Sequence, residues 1–206
     1  MSAKERRERE RELRREQILD AARGLLLKKG MAAISMNMIA RKAELGVGTL
    51  YLYFKSKEEL FAELQEEGLN LLHDAIRSTR ESTVAPQDQL FAVAAAYIDF
   101  ARTQRAYFEI INYFLSSPEV SFPEEIKKRI DEHGSRILGE VVMVLGTLRE
   151  EAPQAELRRG AVSFWAGLQG MLQLRKLQTT VLSGETLESL ITYQIENFVR
   201  GFMAIR

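Results

Sequence analysis

Helical periodicity runs along the whole chain and is the feature that most constrains its fold. Apolar residues recur at spacings of three and four from the first stretch to the last. No useful length of sequence alternates apolar and polar residues with the period of two that a strand requires, and no Asn-Gly or Asp-Gly hairpin turn occurs. The pattern predicts an all-α protein without internal repeats.

Capping signals divide this pattern into helices. Lys28 and Lys29 before Gly30 are typical of a helix end, Ser35 is a predicted N-cap, and Pro153 opens a late helix. Capping boxes are predicted at Ser56 with Glu59 and at Ser121 with Glu124. The predicted helices cover residues 5–29, 36–43, 47–53, 57–79, 86–103, 105–116, 122–150, 154–180 and 184–205.

Four residues within these helices carry separate expectations. The core-facing stripe of the first helix is expected to start at Leu13. Gly68, inside the long helix, marks either a bend or a close helix contact. His73, like His133, is expected to be partly exposed.

Composition excludes several classes of protein. The absence of cysteine rules out disulfides, thiolate metal sites and a cysteine nucleophile, and two histidines are too few for a multi-histidine metal site. We therefore expect no metal and no cofactor. The first residues are densely charged, unlike a secretory signal, and the apolar runs are too short to span a bilayer. These features favour a cytoplasmic protein.

The net charge of zero conceals an asymmetric distribution. Residues 1–57 contain 14 Lys and Arg against 7 Asp and Glu, a net charge of +7, and the remaining residues balance it with a net charge of −7. A basic first part indicates that this part meets a polyanion, although segregation of solvated surface charge by chance is the alternative.

Three helices in the first 57 residues, the last two short and joined by a tight turn, form a helix-turn-helix pattern. Its local sequence, over residues 13–64, closely resembles the DNA-binding domain of the TetR family of bacterial transcriptional regulators. The resemblance lies in Ile18 to Ala22, Lys29-Gly30, Ser35-Met36, Ile39-Ala40, Gly48 to Tyr51 and Tyr53 to Leu60. It implies a DNA-binding domain over 1–57 and a helical ligand-binding and dimerisation domain over 58–206.

The residue types of this pattern suit DNA chemistry. A glycine and a hydroxyl at a helix start let backbone approach phosphate, tyrosines and lysines reach phosphates, and asparagine can pair with adenine. The expected DNA-binding residues are Ser35, Asn37, Val47, Gly48, Thr49, Tyr51, Leu52, Tyr53, Lys55 and Lys57. Leu50 and Phe54 are expected to be core.

The sequence departs from the family pattern at a few positions. Glu44 and Gly46 stand where the family usually has glycine and a polar cap, and Val47 and Leu52 are apolar where base-reading polar residues are common. We therefore expect sparse hydrogen-bonded readout, with thymine methyl contacts from Val47 or Leu52.

Aromatic and methionine residues concentrate in the second part of the chain. A stripe of this kind is core more often than pocket, but a minority could line a site for an apolar or amphipathic molecule. The candidate ligand residues are Phe91, Tyr97, Phe108, Asn112, Arg136, Met143, Trp165 and Gln169.

The last two helices carry wide apolar stripes and small residues, which is typical of a four-helix bundle between two subunits. An intramolecular core is the alternative. The candidate dimer residues are Phe164, Gly167, Leu168, Leu172, Ile191, Ile195, Phe198 and Phe202.

Other classes of function find less support. The chain has no nucleophile elbow, phosphate-binding loop or dinucleotide fingerprint, so we do not expect an enzyme. A helical adaptor that binds protein partners without specific DNA binding remains the alternative. The favoured interpretation is a homodimeric, ligand-responsive repressor that binds a palindromic DNA operator, with half-sites about one helical turn (~10 bp) apart or slightly more.

Overall fold

The computed structural model describes residues 2–116, 122–174 and 184–204, and the regular structure within those ranges is helical. The helices are α1 (Ala3–Lys29), α2 (Met36–Lys42), α3 (Val47–Tyr51), α4 (Lys57–Ser82), α5 (Pro86–Thr103), α6 (Arg105–Ser116), α7 (Glu124–Leu148), α8 (Gln154–Leu174) and α9 (Leu187–Ala204), with a single 3₁₀ turn at Met31–Ala33. The all-α prediction is confirmed. None of these helices combines the length and apolar content that crossing a membrane requires.

The capping signals explain why most predicted helix ends lie within about three residues of the observed ones, whereas the ends predicted at residues 180 and 205 lie outside the described residues. Gly30 has φ 71° and its N–H donates to the Leu26 carbonyl at 2.9 Å, which closes α1. Ser35 accepts from the Met38 N–H at 3.3 Å and Ser56 accepts from the Glu59 N–H at 3.1 Å. In a capping box the side chain of Glu59 would accept from the backbone N–H of the N-cap residue, Ser56. Here the Glu59 carboxylate accepts instead from the N–H of Lys55, at 2.6 Å. Ser121 lies outside the described residues.

The first of two compact units comprises the chain up to Leu69 together with Gln104–Asp131. In it, α1 packs against α2 and α6, and α2 packs against α3. The fully buried side chains at its centre come from four helices or their ends and include Ile18, Ile39, Leu50, Phe54 and Leu64. The buried stripe of α1 starts at Ile18, because Leu13, where it was expected to start, is 63 % exposed.

Gly68 lies at a close helix contact in this unit. A Cβ atom at this position would lie 2.7 Å from the Cβ of Tyr107, on α6, so only glycine lets the two helices approach this far. Of the two interpretations offered by the sequence, the close contact is the one that the structure shows.

The second unit comprises Asn70–Thr103 and the chain from Glu132 onward. Here α9 packs against α8 and α5. The rings of Phe164, Phe198 and Phe202 follow one another, with centroid separations of 5.3 and 5.8 Å. The α8–α9 pair is therefore joined through a continuous aromatic contact.

A polar cluster inside this unit corrects the expectation for His73, which is buried rather than partly exposed. Its Nε2 lies 3.1 Å from Oε1 of the buried Glu140, and Nε of Arg80 donates to the other oxygen of that carboxylate at 2.6 Å. Sequence periodicity alone did not reveal the cluster, because His73 lies on α4 and Glu140 on α7, 67 positions apart.

Candidate nucleic-acid interface

The turn between α2 and α3 is a Schellman motif with an unusual residue at its left-handed position. The N–H of Leu45 donates to the Ala40 carbonyl at 2.9 Å and that of Glu44 donates to the Arg41 carbonyl at 3.2 Å. Glu44 itself has φ 56°, a conformation that glycine adopts without steric cost and glutamate does not. The glutamate that the sequence marked as a departure therefore also carries backbone strain.

Two buried side chains hold α3 in place. Leu50 and Phe54 are both fully buried, as the sequence predicted, and Gly46 caps the helix without a side-chain hydrogen bond. Because α3 is anchored from one side only, its other side is open to solvent, where Tyr51 is 50 % and Leu52 is 78 % exposed.

Most of the remaining residues predicted to bind DNA are exposed as well. Two of them are half-buried, namely Tyr53 and Lys57. The exposed ones are Ser35, Asn37, Val47, Gly48, Thr49 and Lys55. A Cβ atom at Gly48 would meet nothing within 4 Å, so the protein's own packing does not require glycine there. The absence of a side chain at this exposed position would let the backbone of another molecule approach the helix closely.

Two predicted contacts are already engaged within the chain. The Ser35 hydroxyl caps α2, and Nζ of Lys57 donates to the Ile34 carbonyl at 3.3 Å. A hydroxyl retains donor capacity while it accepts, whereas the lysine ammonium is partly committed to the turn between α1 and α2. Lys55 has no such side-chain bond among the described residues.

Helix α1 supports the helix-turn-helix through residues that the sequence did not single out. Nε2 of Gln17 donates to the Ala43 carbonyl at 2.7 Å, which fixes the end of α2 against α1. The Arg15 guanidinium makes two bonds to the Glu63 carboxylate, one of them from Nε at 2.6 Å, and lies 4.9 Å from the centre of the Phe54 ring. The hydrogen bond to Glu63 raises the pKa of Arg15 above its ordinary value.

The candidate ligand residues fall in both units. Phe108 and Asn112 belong to the first unit and the other six to the second. The structure brings together Tyr97, Trp165 and Gln169: the Tyr97 hydroxyl donates to Gln169, and the rings of Tyr97 and Trp165 are 4.4 Å apart.

Three other candidates of the second unit differ from this group in exposure. Phe91 is half-buried on α5. The structure corrects the expectation for Arg136 and Met143, which it places at the surface of α7 rather than in an apolar interior. Arg136 is bonded there to Asn70 at 2.5 Å.

Most of the candidate dimer residues are buried within the chain itself. Phe198 and Gly167 are half-buried, and the other six are buried, at 5 % exposure or less: Phe164, Leu168, Leu172, Ile191, Ile195 and Phe202. These six residues lie in a core within the chain, which is the alternative that the sequence left open. The opposite sides of α8 and α9 are exposed, for example at Val162 and Tyr193.

Comparisons with known proteins agree with this architecture. The family model "Bacterial regulatory proteins, tetR family" matches residues 18–64, and the model "Tetracyclin repressor-like, C-terminal domain" matches residues 90–198.

Two curated relatives differ in sequence coverage. The uncharacterized HTH-type transcriptional regulator YhgD of Bacillus subtilis is 27 % identical over 115 residues, and the match spans 56 % of this chain and 60 % of that protein. The HTH-type transcriptional regulator BetI of Paraburkholderia phytofirmans is 26 % identical over 188 residues, or 91 % of each chain.

Solved structures share the fold. AibR, in complex with isovaleryl coenzyme A and operator DNA, has a TM-score of 0.67 and 18 % identity, covering 89 % of this chain and 97 % of the other. FadR from Bacillus subtilis, in complex with stearoyl-CoA, has a TM-score of 0.68 and 18 % identity, covering 90 % and 98 %. The two family models together span most of the chain, which therefore belongs to the TetR family of bacterial regulatory proteins.

Proposed function

We propose that the chain is a transcriptional repressor that binds a palindromic operator as a homodimer and is released by a small apolar or amphipathic molecule. Residues 1–57 would bind the DNA, and residues 58–206 would bind the ligand and the partner subunit. The observation that carries the proposal is the open face of α3, held on a rigid base by Leu50 and Phe54. The family membership supports it.

The exposed side chains support the following roles within the major groove. Val47 and Leu52 offer apolar surface to thymine methyl groups, and Tyr51 and Thr49 offer hydroxyls to phosphates or base edges. Asn37, exposed at the start of α2, is the side chain suited to bidentate pairing with adenine. This mixture predicts a site whose specificity depends more on shape and methyl contacts than on many hydrogen bonds.

The test is selection of DNA by the full-length protein. Duplexes enriched from a random library would be measured by fluorescence anisotropy against scrambled duplexes across a salt series. We expect a palindromic motif bound with a steep salt dependence, and Tyr51→Ala should abolish the preference over scrambled DNA while leaving the melting temperature unchanged, because Tyr51 is 50 % exposed. Absence of any enriched sequence would overturn the proposal and favour an adaptor.

A ligand site in the second unit is supported by the cluster of Tyr97, Trp165 and Gln169. It pairs aromatic surface with an amide, the mixture that an amphipathic molecule requires. AibR and FadR, of the same fold, were solved with isovaleryl coenzyme A and stearoyl-CoA, so thioesters of coenzyme A are the first probes to use.

The ligand test needs two readouts, because a ligand changes operator affinity only through its different affinities for the two states of the protein. Isovaleryl coenzyme A, stearoyl-CoA and free coenzyme A would be compared by thermal shift and by release of the selected duplex. A thioester that raises the melting temperature and weakens DNA binding would support the proposal. One that binds tightly without changing operator affinity would contradict it.

The homodimer is supported by the exposed sides of α8 and α9. On α8, small exposed residues recur on one face at Ser163, Ala166 and Gly170, beside Val162, which is 54 % exposed. On α9, Tyr193 is 69 % exposed. Small residues let helices approach closely, and the exposed apolar groups would be buried in a twofold bundle.

A further inference from the structure

The first half of α1 extends beyond the core of its unit. Every described residue from Ser2 to Arg14 is exposed, and the first fully buried side chain is that of Ile18. Residues 3–14 therefore form three helical turns, about 18 Å long, that make no core contact. Packing does not explain this segment, so its charges are the feature to examine.

Three arginines of this segment lie on one side of the helix. At 3.6 residues per turn, Arg7, Arg11 and Arg14 lie within a sector of about 60°. The opposite side carries carboxylates at Glu5, Glu12 and Glu16 together with Arg9, and Glu10 flanks the first sector. We call the first sector the arginine face. Helix stability does not require this grouping of arginines, since i to i+4 pairs such as Lys4 with Glu8 (4.0 Å) form without it.

Most of the arginine face is uncommitted. Among the described residues, no carboxylate lies within ion-pair distance of Arg7, Arg11 or Arg14. Arg14 donates to Gln17 at 2.9 Å. By contrast, Arg6 is paired with Glu10 at 3.8 Å.

The arginine face is directed toward the helix-turn-helix. Gln17 fixes the rotation of α1 by its bond to Ala43. An open groove of about 580 Å³ is lined by Arg7, Glu10, Arg11, Leu13, Arg14, Gln17 and Tyr53. All three arginines of the face thus share a groove with Tyr53, which directly follows the C-cap of α3. The basic surface is continuous with the surface proposed to bind DNA.

We propose that the arginine face is a second DNA-binding element, which binds the phosphodiester backbone beside the segment read by α3. This rests on the proposed function, since it assumes that α3 faces DNA. Guanidinium groups pair with phosphate oxygens in two-point geometry, and Glu5, Glu12 and Glu16, on the opposite side of the helix, would point away from the duplex. The contact adds affinity and salt dependence without reading sequence.

The test compares two double variants of the full-length chain that remove the same charge from the same exposed segment. Arg7→Gln/Arg11→Gln removes two members of the arginine face, and Arg6→Gln/Arg9→Gln removes two arginines outside the groove. Binding is measured by anisotropy across a salt series, on the selected duplex and on an unrelated one, each of about 30 bp to include both half-sites and their flanks.

We expect Arg7→Gln/Arg11→Gln to reduce the slope of log K against log salt by about 1.8 per chain, because each lost phosphate contact accounts for about 0.9. The reduction should occur on both duplexes, and Arg6→Gln/Arg9→Gln should produce less than half of it. Both variants should keep the wild-type melting temperature, since all four side chains are exposed.

Equal slopes in the two variants, or no change in either, would overturn the proposal. If the wild type selects a sequence but Arg7→Gln/Arg11→Gln has the same salt slope as the wild type, the proposal for the arginine face fails and the operator-binding function stands. If the wild type selects no sequence, the operator-binding function fails, and the comparison on the unrelated duplex still decides whether the arginine face binds DNA.

Discussion

At the scale of single residues, the left-handed backbone of Glu44 is the clearest source of strain. We expect Glu44→Gly to stabilise the protein by about 1 kcal/mol, because glycine adopts a positive φ without the clash that a Cβ atom causes. Urea denaturation measures this. Glu44→Ala is the control, since it removes the carboxylate but keeps the Cβ, and equal stabilisation by alanine would show that charge, not backbone strain, was responsible.

Glu67 gives a pH dependence at the same scale. Burial is the main reason that the pKa of its carboxyl lies above the ordinary value, although the Tyr107 hydroxyl donates to it at 2.9 Å and Arg23 is near. A raised folded-state pKa means that the folded state holds the proton more tightly. The stability that Glu67 contributes is therefore fully present at a pH below its ordinary pKa, and it is lost as the pH rises through its pKa in the folded state.

Glu67→Gln should remove this effect while keeping an acceptor for Tyr107, whose own pKa burial raises to about 12, so that its hydroxyl remains a donor. We expect the variant to gain stability relative to the wild type as the pH rises from about 4.5 to neutrality. Unfolding free energies measured across that range test it. Glu151→Gln, at an exposed position, should show no such trend, and a constant difference for Glu67→Gln would refute the argument.

Residues also show where sequence reasoning reached its limit. The identity of Glu44 was visible as a departure from glycine, but its φ depends on the Schellman bonds of the whole turn. The commitment of Lys57 to the Ile34 carbonyl joins residues 23 positions apart. Local chemistry therefore predicted which residues lie near the interface, and tertiary contacts decided which of their atoms remain available.

At the scale of helices, replacing two glycines by alanine should change the free energy of unfolding in opposite directions. Gly68→Ala would place a Cβ atom 2.7 Å from the Cβ of Tyr107, an atom that cannot move without α6. We expect destabilisation by about 1–3 kcal/mol, more than the roughly 1 kcal/mol that alanine gains in helix propensity. Gly134→Ala, inside α7 with nothing within 4 Å of the added atom, should instead stabilise. Chemical denaturation giving the same sign for both would contradict the α4–α6 contact.

Helix ends were predictable and helix faces were less so, for one physical reason. Caps such as Gly30 and Ser35 act within a turn of the chain, so the sequence contains the whole interaction. The burial of an apolar face depends on its partner. The stripes containing Phe164 on α8 and Ile195 on α9 were wide enough for either a subunit interface or an internal core, and the structure places both residues inside the chain.

At the scale of the whole molecule, burial of those residues changes how a dimer must be tested. Substituting a buried residue such as Phe164 would unfold the chain, and loss of dimer would follow trivially. A useful variant must alter a residue that is exposed in the single chain and central to the proposed contact. Ala166, in the middle of the exposed face of α8, meets both conditions.

We therefore expect Ala166→Glu to convert a dimer into a monomer without lowering the stability of the single chain. In a twofold interface the substitution would bring two carboxylates close together and desolvate them, a cost that small-residue packing could not offset. The matched control is Ala95→Glu, at an exposed position within α5. Light scattering at micromolar concentration should give the dimer mass for the wild type and Ala95→Glu and the monomer mass for Ala166→Glu. A monomeric wild type, or a dimeric Ala166→Glu, would rule out this face, since an interface built on exposed small residues cannot accept a pair of buried charges.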